Sequence, residues 1–139
     1  MNVLVDTSLW SLALRRRAQD LNTAETLLVG ELGELVKEGR TRILGLIRQE
    51  LLSGIKSIDQ YEKLRSILRA FRDEHVETTD YEAAAKASNV FRSKGVAVSV
   101  GDALICSVST ERNWRIFTTD PDFRNYARIL PLQLHAPRK

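Results

Sequence analysis

A single cysteine in 139 residues excludes an intrachain disulfide, and Cys106, set in the apolar stretch Ala103 to Val108, is expected to be a buried, reduced thiol. Histidine is nearly as scarce. His75 and His135 cannot supply the ligand spacing of a zinc site, so both are expected to be surface or structural residues. No apolar run approaches the roughly 20 residues of a membrane-spanning helix. Met1 to Asp6 reads as a strand and lacks the basic and long apolar regions of a secretion leader, so a cytoplasmic protein is expected. Internal repeats and low-complexity segments are also absent.

What is present suits one compact unit. At 43% hydrophobic, the chain has apolar material for a single core, and residues 1–139 are expected to form one domain. The formal net charge is +3 and the pI about 9.2. Arg15, Arg16 and Arg17 follow the first helical stretch, while Arg40, Arg42 and Arg48 bracket the second strand. A solvated face accounts for any one of them.

Hydrophobic periodicity predicts alternating strands and helices. Asn2 to Val5 reads as a central strand, followed by a helix over Thr7 to Leu14. A second helix begins at Thr23, in a capping pattern with Thr26, and stops at Gly39. Thr41 to Leu44 is a strand, and Ile47, Leu51 and Ile55 mark a helix face with Gly54 inside it. Further helices are expected over Ile58 to Phe71 and from Asp80, as cap, to Gly95. The most apolar helix, Asp102 to Arg112, is expected to be central, with Asp102 opening it. Short strands are predicted at His75 to Glu77, Arg115 to Thr118 and, as an edge, Ile129 to Leu132. Asp120 to Tyr126 forms a turn and short helix, and the tail after Pro137 is expected to fray. The alternation indicates an α/β fold with a mainly parallel sheet.

Four carboxylates, Asp6, Glu50, Asp102 and Asp120, fall at strand ends or beside apolar helix faces. Each has a plain reading alone: Asp6 and Asp102 as helix caps, Glu50 as a surface ion-pair residue, Asp120 as turn chemistry before Pro121. Together they suggest one acidic pocket, because ligands bind beyond the carboxyl ends of parallel strands. Gathered carboxylates repel one another and lose hydration, so such a pocket implies a bound cation. An oxygen-only ligand set points to Mg²⁺ or Mn²⁺. An acidic metal site in a basic protein suggests chemistry on a polyanion.

Val3-Leu4-Val5-Asp6-Thr7-Ser8-Leu9-Trp10, Arg48-Gln49-Glu50-Leu51-Leu52-Ser53-Gly54, Gly101-Asp102-Ala103-Leu104-Ile105 and Thr118-Thr119-Asp120-Pro121-Asp122-Phe123 resemble, in order and spacing, the motifs of the PIN-domain family. The resemblance covers nearly the whole chain and is strongest to the VapC toxins of toxin–antitoxin pairs. It implies a PIN-like three-layer sandwich, and a metal-dependent ribonuclease in which Asp6, Glu50, Asp102 and Asp120 hold Mg²⁺ or Mn²⁺. It also implies a supporting hydroxyl at Thr7 or Ser8, products with a 5′-phosphate and a 3′-hydroxyl, a homodimer, and an antitoxin partner whose basic side chain reaches the carboxylates. Asp122 is a possible further acid, placed by this reading in a supporting position behind Asp120. A carboxylate-held metal can lower the pKa of water and stabilise a leaving oxygen, so scarcity of histidine is no objection. Arg15 to Arg17 are the expected contacts to the RNA backbone.

Two rivals fit worse. A haloacid-dehalogenase-like phosphatase needs an Asp where Ser8 stands, and a receiver domain needs a Lys where the chain has Thr118 and Thr119. A catalytically silent PIN-like binding module is the remaining alternative, and a metal-dependent nuclease assay separates it from an enzyme.

Overall fold

In the computed structural model, which describes residues 1–138, four short strands form one sheet in the order β2-β1-β3-β4, with every ladder parallel. The strands are β1 (Val3–Val5), β2 (Thr41–Arg42), β3 (Arg115–Phe117) and β4 (Gln133–Leu134). The helices are α1 (Thr7–Leu14), α2 (Thr23–Lys37), α3 (Gly45–Leu52), α4 (Ile58–Leu68), α5 (Thr78–Ser93), α6 (Val100–Glu111) and α7 (Asp122–Tyr126). Val3, Leu4 and Val5 are all fully buried although successive strand side chains face opposite ways, so both faces of the sheet are covered. This is the expected α/β class. No helix among the described residues is long and apolar enough to cross a membrane.

Helix α6 is as central as its composition predicts: Ala103 to Cys106 and Val108 are buried, Cys106 completely. Burial, with the charges of Asp102 and Asp6, pushes the Cys106 thiol well above its ordinary pKa, so it is an inert core residue. Trp10 is anchored by its indole N–H, which donates to the Val5 carbonyl at 3.1 Å, and by edge-on contact with Phe71. That bond ties α1 to β1 directly.

Several boundaries differ from the sequence expectation for local reasons. Asn22, not Thr23, caps α2, and its true capping box is with Glu25: the Asn22 side chain accepts from Glu25 N–H at 2.8 Å and Glu25 returns the bond at 3.0 Å. Helix α3 ends at Leu52, and Gly54, at φ +81°, lies beyond it in a left-handed turn. Helix α4 closes at Leu68, three residues before Phe71. Glu77 is the cap residue of α5, and Asp80 sits three residues inside, accepting from Glu77 N–H at 2.9 Å. No strand forms over His75 to Glu77, where the His75 carbonyl accepts instead from Arg112 at 2.9 Å. The second and third strands end earlier than predicted, at Arg42 and Phe117. The edge strand forms after Pro131, because Ile129 and Leu130 spend their N–H groups on the Tyr126 carbonyl in the turn that closes α7. The tail is not frayed at Arg138, which bonds Glu31 and Glu38, while Lys139 lies outside the described residues.

Strand β1 is the switch point of the sheet. The chain leaves it for β2 on one side and returns to β3 on the other, which opens a crevice at the carboxyl ends of β1 and β3. Val5 is paired with Phe117, so Asp6 and Thr118 emerge side by side there.

Candidate active site

Asp6 leaves β1 with its N–H donated to the Phe117 carbonyl at 2.9 Å, and its own carbonyl starts α1 by accepting from Leu9 and Trp10. Its carboxylate makes no capping bond. Oδ2 accepts instead from the Ser8 hydroxyl at 3.0 Å and the Thr118 hydroxyl at 2.8 Å. The same hydroxyls take up neighbouring backbone donors: Ser8 Oγ accepts from Thr119 N–H at 2.9 Å, and Thr118 Oγ1 from Asp120 N–H at 3.0 Å. A short polar network thus joins the end of β1 to the loop after β3. The side chain is only 7% exposed, so the plain cap reading of Asp6 does not account for where its charge is held.

Asp102 is likewise released from capping. Helix α6 begins at Val100, and Ser99 is its cap, accepting from Asp102 N–H at 3.0 Å. The Asp102 carboxylate points to α7, where the Tyr126 hydroxyl donates to Oδ2 at 2.8 Å. Burial raises the Asp102 pKa above the usual carboxylate range, the Tyr126 bond opposes this, and the charges of Asp6, Asp120 and Asp122 reinforce it. Tyr126 is itself pushed up by burial and by Asp102, so it stays protonated and keeps its donor for the Asp102 carboxylate.

Glu50, near the end of α3, accepts from the Thr7 hydroxyl at 3.4 Å. A side chain at Gly101 would stand 3.8 Å from Glu50 Oε1, which places this carboxylate against the start of α6. Its pKa is raised by desolvation, then by Asp6 and Asp102. Thr7 and Ser8, the first two residues of α1, therefore each serve a different acid.

The loop after β3 contributes two carboxylates. Asp120 Oδ1 accepts from Asp122 N–H at 2.9 Å across Pro121, a local turn that aims both side chains to one side. Pro121 occupies the cap position of α7, and Asp120 supplies the capping oxygen. Asp102, Asp120 and Asp122 each offer a carboxylate oxygen within 4.8 Å of the other two. Asp122 thus stands in the cluster itself, although the sequence reading put it behind Asp120. Asp6 and Glu50 lie outside that tightest trio and approach it through Asp102, the acid common to both groups.

Among the described residues, none of these five carboxylates forms an ion pair with Lys, Arg or His. A concentration of hard oxygen donors without an internal cation, in which the pKa values of Glu50 and Asp102 are raised, fits a divalent ion of the Mg²⁺ or Mn²⁺ kind. The sequence reading missed Thr118 and Tyr126. The signal for Tyr126 was its position four residues after Asp122, on the same face of a helix. Thr118 could be found only by pairing β1 with β3. Arg15 to Arg17 are not in the acidic pocket. They sit at the far end of α1, with Arg16 paired to Glu25 at 3.4 Å and Arg17 to Asp20 at 3.2 Å.

The family model that matches the chain is that of the PIN domain, over residues 3–129. No curated protein matches in sequence. Among solved structures, a chain of VapBC2 from Rickettsia felis bound to a DNA fragment from its promoter is 18% identical with a TM-score of 0.73, the match covering 97% of this chain and 98% of that one. A chain of FitAcB from Neisseria gonorrhoeae is 19% identical with a TM-score of 0.75, covering 97% of each. A chain of a toxin–antitoxin complex from Klebsiella pneumoniae is 15% identical with a TM-score of 0.65, covering 96% of this chain and 100% of that one.

Proposed function

Since this chain belongs to the PIN domain family, we propose that it is a single-domain, divalent-metal-dependent endoribonuclease and the toxin of a type II toxin–antitoxin pair, acting in the cytoplasm. The observation that carries the reading is the convergence of Asp6, Glu50, Asp102 and Asp120, joined by Asp122, with no internal cation to balance them. Asp6, Glu50, Asp102 and Asp120 would hold Mg²⁺ or Mn²⁺, with Asp122 beside them. An ion bound there would supply Lewis-acid chemistry toward the phosphodiester and water.

The chain's own groups prepare that site. Ser8 and Thr118 both donate to Oδ2 of Asp6 and so hold its carboxylate in one orientation. Tyr126 and Thr7 do the same for Asp102 and Glu50. The likeness to chains from toxin–antitoxin complexes supports an antitoxin partner, one of whose basic side chains would balance the acids when the toxin is held inactive. A homodimer completes the reading. Tyr81 and Val100 are 57% and 89% exposed beside a cavity of about 980 Å³, lined also by Leu46, Ala84 and Leu104, which suits a second copy.

The test is cleavage of labelled single-stranded RNA by the purified full chain in Mn²⁺, with growth followed on expression without a partner. Wild type should cleave, EDTA should stop it, and Asp6→Asn, Glu50→Gln and Asp102→Asn should each abolish activity in folded protein. A wild-type chain that is harmless alone and inactive on cellular RNA would leave only the silent binding module.

A further inference from the structure

A second cavity, of about 470 Å³, opens at the far end of α1. Five cations line it, Arg15, Arg16 and Arg17 after α1, Lys56 after α3 and Lys63 on α4, and no carboxylate does. All five are exposed. Arg16 and Arg17 are partly balanced by Glu25 and Asp20, but Arg15, Lys56 and Lys63 make no ion pair among the described residues. The carbonyl end of α1 explains one or two cations in its last turn. It does not explain Lys56 and Lys63, which come from other elements and add to the positive field of the cleft. The floor, with Leu14, Ile55 and Leu64, is apolar and can take the face of an unstacked base.

Position gives this cleft its meaning. Thr7 and Ser8, at one end of α1, touch the acidic pocket, and Arg15 follows the other end. Eight helical residues span about 12 Å, which corresponds to roughly three to four stacked nucleotides at about 3.4 Å each. The cations of an acidic metal pocket are taken up by its own carboxylates, so positive charge elsewhere on the surface adds to the hold on the RNA backbone. We propose that this cleft anchors the phosphate backbone of single-stranded RNA one α1-length from the acidic pocket, so that efficient cleavage needs a strand long enough to occupy both. The proposal rests on the ribonuclease reading and extends it by assigning Lys56 and Lys63 to substrate binding and by setting a minimum substrate length.

The experiment compares the full chain with the triple variant Arg15→Gln, Lys56→Gln, Lys63→Gln, whose changes are all at exposed side chains. Binding of fluorescent single-stranded RNA of four and of twelve nucleotides is measured by anisotropy in EDTA over a salt series, and cleavage is measured in Mn²⁺. The twelve-mer should bind the variant about tenfold more weakly, and the slope of log K against log salt should fall by about 2, as expected for three lost phosphate contacts to a single strand. KM for the long RNA should rise with little change in kcat, and cleavage of the four-mer, which cannot fill both sites, should not distinguish the proteins. Unchanged binding, slope and KM in the triple variant, with an active wild type, overturns the cleft and leaves the ribonuclease reading standing. A wild type that cleaves nothing but loses RNA binding in the variant does the reverse. If the variant keeps RNA binding and instead loses a helical peptide rich in glutamate and leucine, the cleft belongs to a protein partner and the proposal is overturned.

Discussion

Asp102 belongs to both groups of acids, so its removal separates the forces in the pocket. Its folded pKa, like that of Glu50, is raised, so each carboxyl holds its proton more tightly folded than unfolded. Such a group favours the folded state at low pH, and that contribution is lost as pH rises through the carboxylate range toward the raised folded pKa. In EDTA, Asp102→Asn should therefore hold or raise the melting temperature relative to wild type at pH 7, with the difference shrinking toward pH 4. A large loss of metal-free stability in the variant would mean that Asp102 serves the fold instead. Tyr126→Phe removes the hydroxyl that donates to Asp102 and should weaken Mn²⁺ affinity by about tenfold or more, read by titration calorimetry. Asp120 and Asp122 both stand in the cluster, but Asp122 is exposed while Asp120 is partly buried and also orders the turn. Asp120→Asn should accordingly lower Mn²⁺-dependent turnover more than Asp122→Asn, by roughly tenfold. Greater damage at Asp122 would reverse their order.

At the scale of elements, the C-terminal segment is clasped to α2. His135 Nε2 lies 2.6 Å from Glu31 Oε2, both side chains are buried, and Arg138 bonds Glu31 at 3.0 Å and Glu38 at 2.8 Å. Burial pushes the Glu31 pKa up, but the bonds from His135 and Arg138 outweigh it and the net direction is down. Glu38, held by Arg138 and Arg40, falls to about 2. A lowered carboxylate pKa gives stability that is present above the ordinary carboxylate range and lost as pH falls toward the folded value. Glu31→Gln should thus cost about 2 kcal/mol at pH 7 and progressively less below pH 4, measured by urea denaturation. A pH-independent cost would show that packing, rather than charge, makes the clasp. The sequence placed a loose end here because nothing local links residues over a hundred positions apart.

For the whole molecule, the homodimer reading places a second copy over the face bearing Tyr81 and Val100. Val100 is too exposed to support the core, so Val100→Asp should leave the melting temperature of the isolated chain nearly unchanged while converting a dimer to a monomer by light scattering. A dimer that persists in this variant would put the interface elsewhere.

The α/β class, the buried α6, the core position of Cys106 and the acids worth gathering were legible in the sequence, because hydrophobic period and the residues at strand ends are local properties of the chain. The sequence alone could not show that Ser8 and Thr118 share one oxygen of Asp6, or that Tyr126 reaches Asp102. It could not bring a carboxylate oxygen of Asp122 within 4.8 Å of those of Asp102 and Asp120, nor bring Lys56 and Lys63 to the arginines after α1. Those relations depend on the β1–β3 register and on how α7 and α4 pack. Distances between residues far apart in sequence are fixed only when the sheet closes and the helices settle on it.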